Sequence, residues 1–170
     1  MRGTTLLIVT AVLTLVLASG VALAEVVKGT AGDDVLGGSG GRDVIRGYGG
    51  DDTIRGYRSD DDLLGYSGDD VIRGGKNDDT IYGNAGQDRL YGGPGDDVIH
   101  AGDGQDLANG DSGTDSIYAG DGRDKIFAGR GDNELIVTRD GQRDIICVGG
   151  SESGSLDSDA KDLLRFDCGP

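Results

Sequence analysis

An all-β solenoid of about six coils is the fold this sequence predicts, and three columns of residues predict it. Between Gly29 and Ile136 the chain divides without insertion into twelve nonapeptides. Position 4 is glycine in ten of them, with Ser59 and Asn77 as the exceptions. Position 6 is aspartate in eleven, with Asn133 in the twelfth, and position 8 is aliphatic throughout, from Leu36 to Leu135. Columns held in phase over so long a run mark a stacked-repeat architecture.

Composition agrees with that reading. Of 170 residues 34 are glycine, aromatics make up 5 %, tryptophan is absent and the formal charge is −15. So little bulky apolar material cannot fill an ordinary large core. The negative charge argues against nucleic acid as a partner, because phosphate recognition needs a basic surface. An acidic disordered chain is the competing class, but Asp outnumbers Glu 28 to 3 and there are only 2 prolines. Asp with Gly is turn chemistry: Asp hydrogen-bonds its own backbone and Gly reaches positive φ.

The first element along the chain is residues 1–24. Arg2 precedes an apolar run from Leu6 to Leu17, and Ala22-Leu23-Ala24 forms a small-x-small site. This is the layout of a secretory signal peptide cut after Ala24, the alternative being a retained membrane anchor. Cleavage would leave Glu25–Pro170 as an extracellular chain with no membrane span, carrying 31 acidic and 15 basic residues.

The repeats come next, at residues 29–136 within a domain expected to span 25–136. Positions 7 to 9 are expected to form a short strand that turns only position 8 inward, since side chains alternate along a strand. The six residues before it must turn the chain back. One nonapeptide is then half a coil, 18 residues make a full coil, and stacking creates two parallel sheets with the aliphatic column between them. Position 6 falls into two lines. One runs Asp34, Asp52, Asp70, Asp88, Asp106, Asp124; the other runs Asp43, Asp61, Asp79, Asp97, Asp115, Asn133.

The stretch Gly83-Asn-Ala-Gly-Gln-Asp-Arg-Leu-Tyr, followed by Gly92-Gly-Pro-Gly-Asp-Asp-Val-Ile-His, shows the consensus G-G-x-G-x-D-x-U-x. It resembles the repeats-in-toxin (hemolysin-type) calcium-binding proteins, and the resemblance covers about two thirds of the chain. It implies a parallel β-roll, a right-handed β-solenoid, with Ca2+ held between turns of successive coils. Backbone carbonyls of the turns and the eleven position-6 aspartates would supply the ligands, giving at most about ten ions. Stacked carboxylates repel one another and raise each other's pKa, and a hard cation wanting six to eight oxygens removes that repulsion. The core is one aliphatic side chain per half-coil, so folding is expected to depend on the metal. Position 5 varies between Asp, Arg, Gln and Thr, so no ligand is required there. Arg58-Ser59 makes sites that use Asp61 doubtful, and Asn133 is expected to end its line.

After Ile136 the phase slips by two residues, and Arg143-Asp144-Ile145-Ile146-Cys147 restores the pattern. Residues 137–170 are read as a small C-terminal cap over the open strand edge. In an exported chain the two cysteines, Cys147 and Cys168, are expected to form one disulfide that pins this cap.

No catalytic set stands out from the repeat lattice. His100 falls at an outward position, no Ser/His or Cys/His pairing is available, and the carboxylates that a hydrolase would use are all repeat positions. The expected function is a secreted calcium-binding β-roll with a structural or interaction role, and not an enzyme. The alternative is an adhesin-like module that recognises a cell surface or glycan through Tyr48, Tyr57 and Tyr66 at position 2 and Arg46, Arg55 and Arg73 at position 9.

Overall fold

The computed structural model describes residues 24–136, 142–148, 156–157 and 163–166. Among these every regular element is a strand and every pairing is parallel. One sheet, A, stacks β1 (Val26–Lys28), β3 (Val44–Gly49), β5 (Asp62–Ser67), β7 (Thr80–Ala85), β9 (Val98–Gly104), β11 (Ser116–Gly122), β13 (Glu134–Ile136) and β15 (Leu156–Asp157) in that order. The other, B, stacks β2 (Val35–Gly37), β4 (Thr53–Arg58), β6 (Val71–Lys76), β8 (Arg89–Pro94), β10 (Leu107–Ser112), β12 (Lys125–Phe127), β14 (Ile145–Val148) and β16 (Leu163–Phe166).

The register advances by 18 residues per rung, as with Val44↔Asp62 and Thr53↔Val71. The twelve exact repeats therefore make six coils of a parallel β-solenoid. The position-8 column is the core: Leu36, Ile45, Ile54, Leu63, Ile72, Ile81, Leu90, Ile99, Ala108, Ile117 and Ile126 are all buried, and Ile146 continues the column beyond the phase slip.

Three features depart from the expected arrangement. Most strands are six or seven residues long rather than three, because the inward alternation carries on through position 1 of the next repeat. Position 1 is thus a second core position, filled by Gly or by the buried Ala101, Ala119 and Ala128. A strand also forms before the exact repeat. In β1, Val27 packs against the core from the place a position-8 residue would hold. Beyond residue 136, β14 and β16 extend sheet B, and β15 extends sheet A.

The segment 1–23, on which the export reading rests, lies outside the described residues. Cys147 lies buried on β14, and there is no free cysteine among the described residues. Its expected partner Cys168 lies outside them. Among the described residues no helix is long and apolar enough to cross a membrane.

Candidate functional site

The turns place all eleven predicted aspartates at the edges of the sandwich, and all are buried. They form the two expected lines, but their oxygens are used in a way the sequence did not disclose. From Asp34 to Asp115 the backbone N–H of each position-6 residue donates to Oδ1 of the residue 18 positions later, as Asp34 to Asp52 and Asp52 to Asp70 at 2.8 Å. On the other edge Asp43 donates to Asp61 at 2.7 Å and Asp61 to Asp79 at 2.8 Å. Both lines run past the predicted set. Glu25 heads one, donating to Asp43 Oδ1 at 2.7 Å, and Asp144 closes the other, accepting from Asp124 at 2.7 Å across the two-residue slip. From Asp43 onward, each carboxylate is therefore stapled to the preceding coil by one oxygen.

The second oxygen divides the set. In the first two turns it is satisfied by the protein: Asp34 Oδ2 accepts from the Thr30 N–H at 2.6 Å, and Asp43 Oδ2 from the Ser39 N–H at 2.6 Å, with the Thr30 and Ser39 hydroxyls each adding a bond at 3.0 Å. In the other nine, Asp52, Asp61, Asp70, Asp79, Asp88, Asp97, Asp106, Asp115 and Asp124, Oδ2 is buried with no hydrogen-bond partner. A buried acceptor without a donor is costly, and nine in register need a physical cause.

The surroundings supply one. A Cβ built on Gly29 would lie 2.7 Å from Asp34 Oδ2 and 2.6 Å from the Gly47 carbonyl oxygen, and Gly47, Gly56, Gly65, Gly74, Gly83 and Gly110 repeat this relation with their own Asp and the next coil's carbonyl. In six of the nine, carboxylate and carbonyl oxygens thus converge on the face of the position-1 glycine, in a space a methyl group would fill; before Asp106 and Asp124 position 1 is Ala101 and Ala119 instead. Asn133 shows what such a place demands. Its Oδ1 continues the ladder by accepting the Asp115 N–H at 2.8 Å, and its Nδ2 donates to the Ala128 carbonyl at 3.1 Å. Asparagine brings a donor, whereas aspartate brings another acceptor, which calls for a proton or a cation. Asn133 is the last described member of its line: it accepts the rung from Asp115 and ends the run of orphaned oxygens there.

Asp61 shares the hydrogen-bond ladder with its neighbours despite Arg58-Ser59 in its turn. Ser59 takes a left-handed φ of 75° at position 4, where glycines from Gly50 to Gly131 hold positive φ of 94–157°, and its hydroxyl donates to the Gly40 carbonyl at 2.9 Å. Tyr48, Tyr57 and Tyr66 at position 2 also hold left-handed φ of 79–83°. These turns impose their geometry even on residues that resist it.

Burial, more than mutual repulsion, sets the acid–base character of the ladder. Loss of hydration raises Asp79 to about 8, Asp88 and Asp97 to about 7, and Asp52, Asp61, Asp70, Asp106 and Asp115 to about 6. The backbone hydrogen bond at Oδ1 opposes the rise, and neighbouring carboxylates add a smaller upward push. Like-charge repulsion, the cause expected from the sequence, is thus secondary. Among the described residues no three His, Cys, Asp or Glu side chains cluster as a metal site. A cation at the ladder would need backbone oxygens beside the carboxylate, which is the mixture the position-1 carbonyls offer.

Other predicted residues are distributed differently. Tyr48 and Tyr66 stack on one turn line, 5.5 Å between centroids, and Tyr57 lies on the opposite line against Gly37. Arg46 is on sheet A, apart from Arg55 and Arg73 on sheet B. His100 is sandwiched on the outside of sheet A between Tyr82 and Tyr118, at 4.8 and 4.4 Å, and burial lowers its pKa. The position-5 aspartates are exposed, and several accept the backbone N–H of the next coil, as Asp51 Oδ1 does from Asp69.

Comparison with known proteins adds one positive finding. The family model of the RTX calcium-binding nonapeptide repeat, built of 4 copies, matches residues 19–54, 28–63, 37–72, 64–99, 73–108 and 100–135. A search of curated proteins found no match.

Proposed function

The chain belongs to the RTX calcium-binding nonapeptide repeat family, and from that premise we propose that it is an exported structural protein whose coils are joined by Ca2+ at the aspartate ladders. The nine buried, unpartnered Oδ2 atoms carry this reading. Calcium accepts carboxylate and carbonyl oxygens together in flexible geometry, and the turns bring those two donor types to one face. The ligands we propose are the position-6 aspartates from Asp52 to Asp124, with carbonyl oxygens of position 1. Asp34 and Asp43 were expected in the same role, but their second oxygens already have donors, so they contribute least.

Binding and folding would be linked, because sites shared between coils do not exist in the unfolded chain. Isothermal calorimetry with calcium, paired with far-UV circular dichroism in chelator, tests the proposal. Saturable binding of several ions together with a gain of sheet signal supports it; an unchanged sheet spectrum in chelator and no binding heat reject it.

The domain reading accompanies it: a signal peptide at 1–24, the roll at 25–136 and a terminal segment at 137–170. Export would place Cys147 and Cys168 in an oxidising compartment. The β14–β16 register sets Cys147 beside Arg165, three residues from Cys168. A bridge closing that loop would contribute about 3 kcal/mol. We read the molecule as non-catalytic, since its buried aspartates are committed to the ladder and both ring faces of His100 are covered by tyrosines.

Calcium-dependent surface recognition is the second reading, and charge segregation favours it. Arg55, Arg73, Arg89 and Lys125 are exposed on sheet B, where positions 7 and 9 from Val35 to Phe127 hold no carboxylate and Asp111 is the one exposed carboxylate on its strands β2 to β12, and Arg73 lies over the Tyr91 ring at 5.0 Å. Such a face suits an acidic glycan. Glycan-array binding that disappears in the Arg55→Gln, Arg73→Gln variant with the fold intact would establish it, and an array without hits would dismiss it.

A further inference from the structure

Glu25 lies 18 residues before Asp43 and holds the position-6 place of a coil that precedes the exact repeat. Its N–H donates to Asp43 Oδ1 at 2.7 Å, and its carbonyl accepts the Val44 N–H at 2.8 Å, so both backbone groups are tied to the roll. Asp43 is fully buried, and its other oxygen is held by the Ser39 N–H and hydroxyl. It thus has the strongest set of protein donors in the ladder. Ala24, immediately before, is exposed at the end of sheet A.

We propose that Asp43 is the binding site for a primary ammonium group, the chain's own amino terminus, created by cleavage of the Ala24–Glu25 bond. The inference rests on the export reading above. Hydrolysis by an export peptidase breaks the bond between the Ala24 carbonyl carbon and the Glu25 nitrogen. Water supplies hydroxyl to the carbon and hydrogen to the nitrogen, and the new carboxyl passes its proton to the amine. A neutral N–H donor already positioned at 2.7 Å becomes an ammonium donor facing the same carboxylate. Charge-assisted hydrogen bonds are roughly twice as strong as neutral ones, and partial burial limits screening. Elsewhere the ladder joins an amide to each carboxylate. At this end alone, processing adds a positive charge, which closes the line without a metal ion. The processed chain is therefore more stable than its precursor by a contact that does not exist before the cut.

The test uses the full chain with residues 21–24 replaced by a protease recognition sequence that releases Glu25 as the new terminus. Thermal unfolding in calcium is followed before the cut, after it, and after acetylation of the new α-amino group near neutral pH, where lysines stay protonated. Cutting should raise the midpoint by roughly 2–4 °C, acetylation should remove the gain, and the Asp43→Asn chain should show none. A gain that survives acetylation, or no gain at all, overturns the pairing. In parallel, the unaltered chain is expressed in an exporting host and its terminus sequenced. A start at Glu25 supports the proposal; a different start overturns the export reading and this inference together. A start at Glu25 with an indifferent midpoint overturns the pairing alone.

Discussion

At the scale of single residues, the chemistry turns on one oxygen per rung. Asp79 Oδ1 accepts the Asp61 N–H at 2.8 Å, and Oδ2 is buried with no donor. Asn133, in the equivalent place, spends its amide on a carbonyl. Asp79→Asn should therefore keep the rung and give the orphaned place a donor. In chelator this variant is expected to be more stable than the parent by about 1–2 kcal/mol, while its calcium binding weakens. Asp79→Ala should lose on both counts, since it also strands the Asp61 N–H. Denaturant melts with and without calcium separate the two. A similar contrast holds for neighbours along the chain: Asp70→Ala should cost about 1–3 kcal/mol and lower the calcium count, whereas Asp69→Ala, whose exposed carboxylate only accepts the Gln87 N–H, should change stability by about 0.5 kcal/mol or less. Equal damage from both would mean that position 6 has no special role.

Individual turns come in two kinds. In the first two, Thr30 and Ser39 at position 2 fold an N–H and a hydroxyl back onto the aspartate. From the third onward, position 2 is left-handed, at Tyr48, Tyr57, Tyr66, Asn84 and Asp111 as well as at glycines, and the N–H no longer reaches the carboxylate. Calorimetric stoichiometry should reflect this: Asp34→Asn is expected to leave the number of bound ions unchanged, and Asp88→Asn to reduce it. These turns also show what sequence could and could not reveal. The columns at positions 6 and 8 gave the coil length, the two sheets and the core, because strand alternation and an 18-residue period are written directly in the spacing. Position 1 was unreadable as a core position, since Gly47 or Gly65 looks like any turn glycine until the aspartate oxygen of its own repeat and the carbonyl of the next coil are seen against it. Nor could the spacing reveal that Oδ1 is taken by a backbone amide of the neighbouring coil. The pre-repeat strand at Val26–Lys28 was hidden because only Glu25 and Val27 keep the pattern there.

Across the whole molecule, the ladders should make stability a function of pH whose sign, on the ligand set proposed above, depends on calcium. Without metal, burial raises the folded-state pKa of eight ladder aspartates from 3.8 to between about 6 and about 8. The folded state then binds protons more tightly than the unfolded chain, so their contribution is fully present below pH 3.8 and is lost as pH rises through 6 to 8. A protonated Oδ2 can also donate to the facing carbonyl, so acid supplies the donor that the buried oxygens lack. At the proposed sites calcium would need the same oxygens deprotonated, and binding it would release protons. The chelated protein is thus expected to gain sheet signal and melting temperature as pH falls from about 8 to about 5, while the calcium-saturated protein loses both over the same window. Melts at several pH values, each in calcium and in chelator, should cross. Parallel curves would show that protons and calcium do not compete for the buried oxygens. If the metal-free protein instead grew steadily more stable toward alkaline pH, the ladder carboxylates would have to be hydrated in the free protein, and the cation would not be what joins the coils.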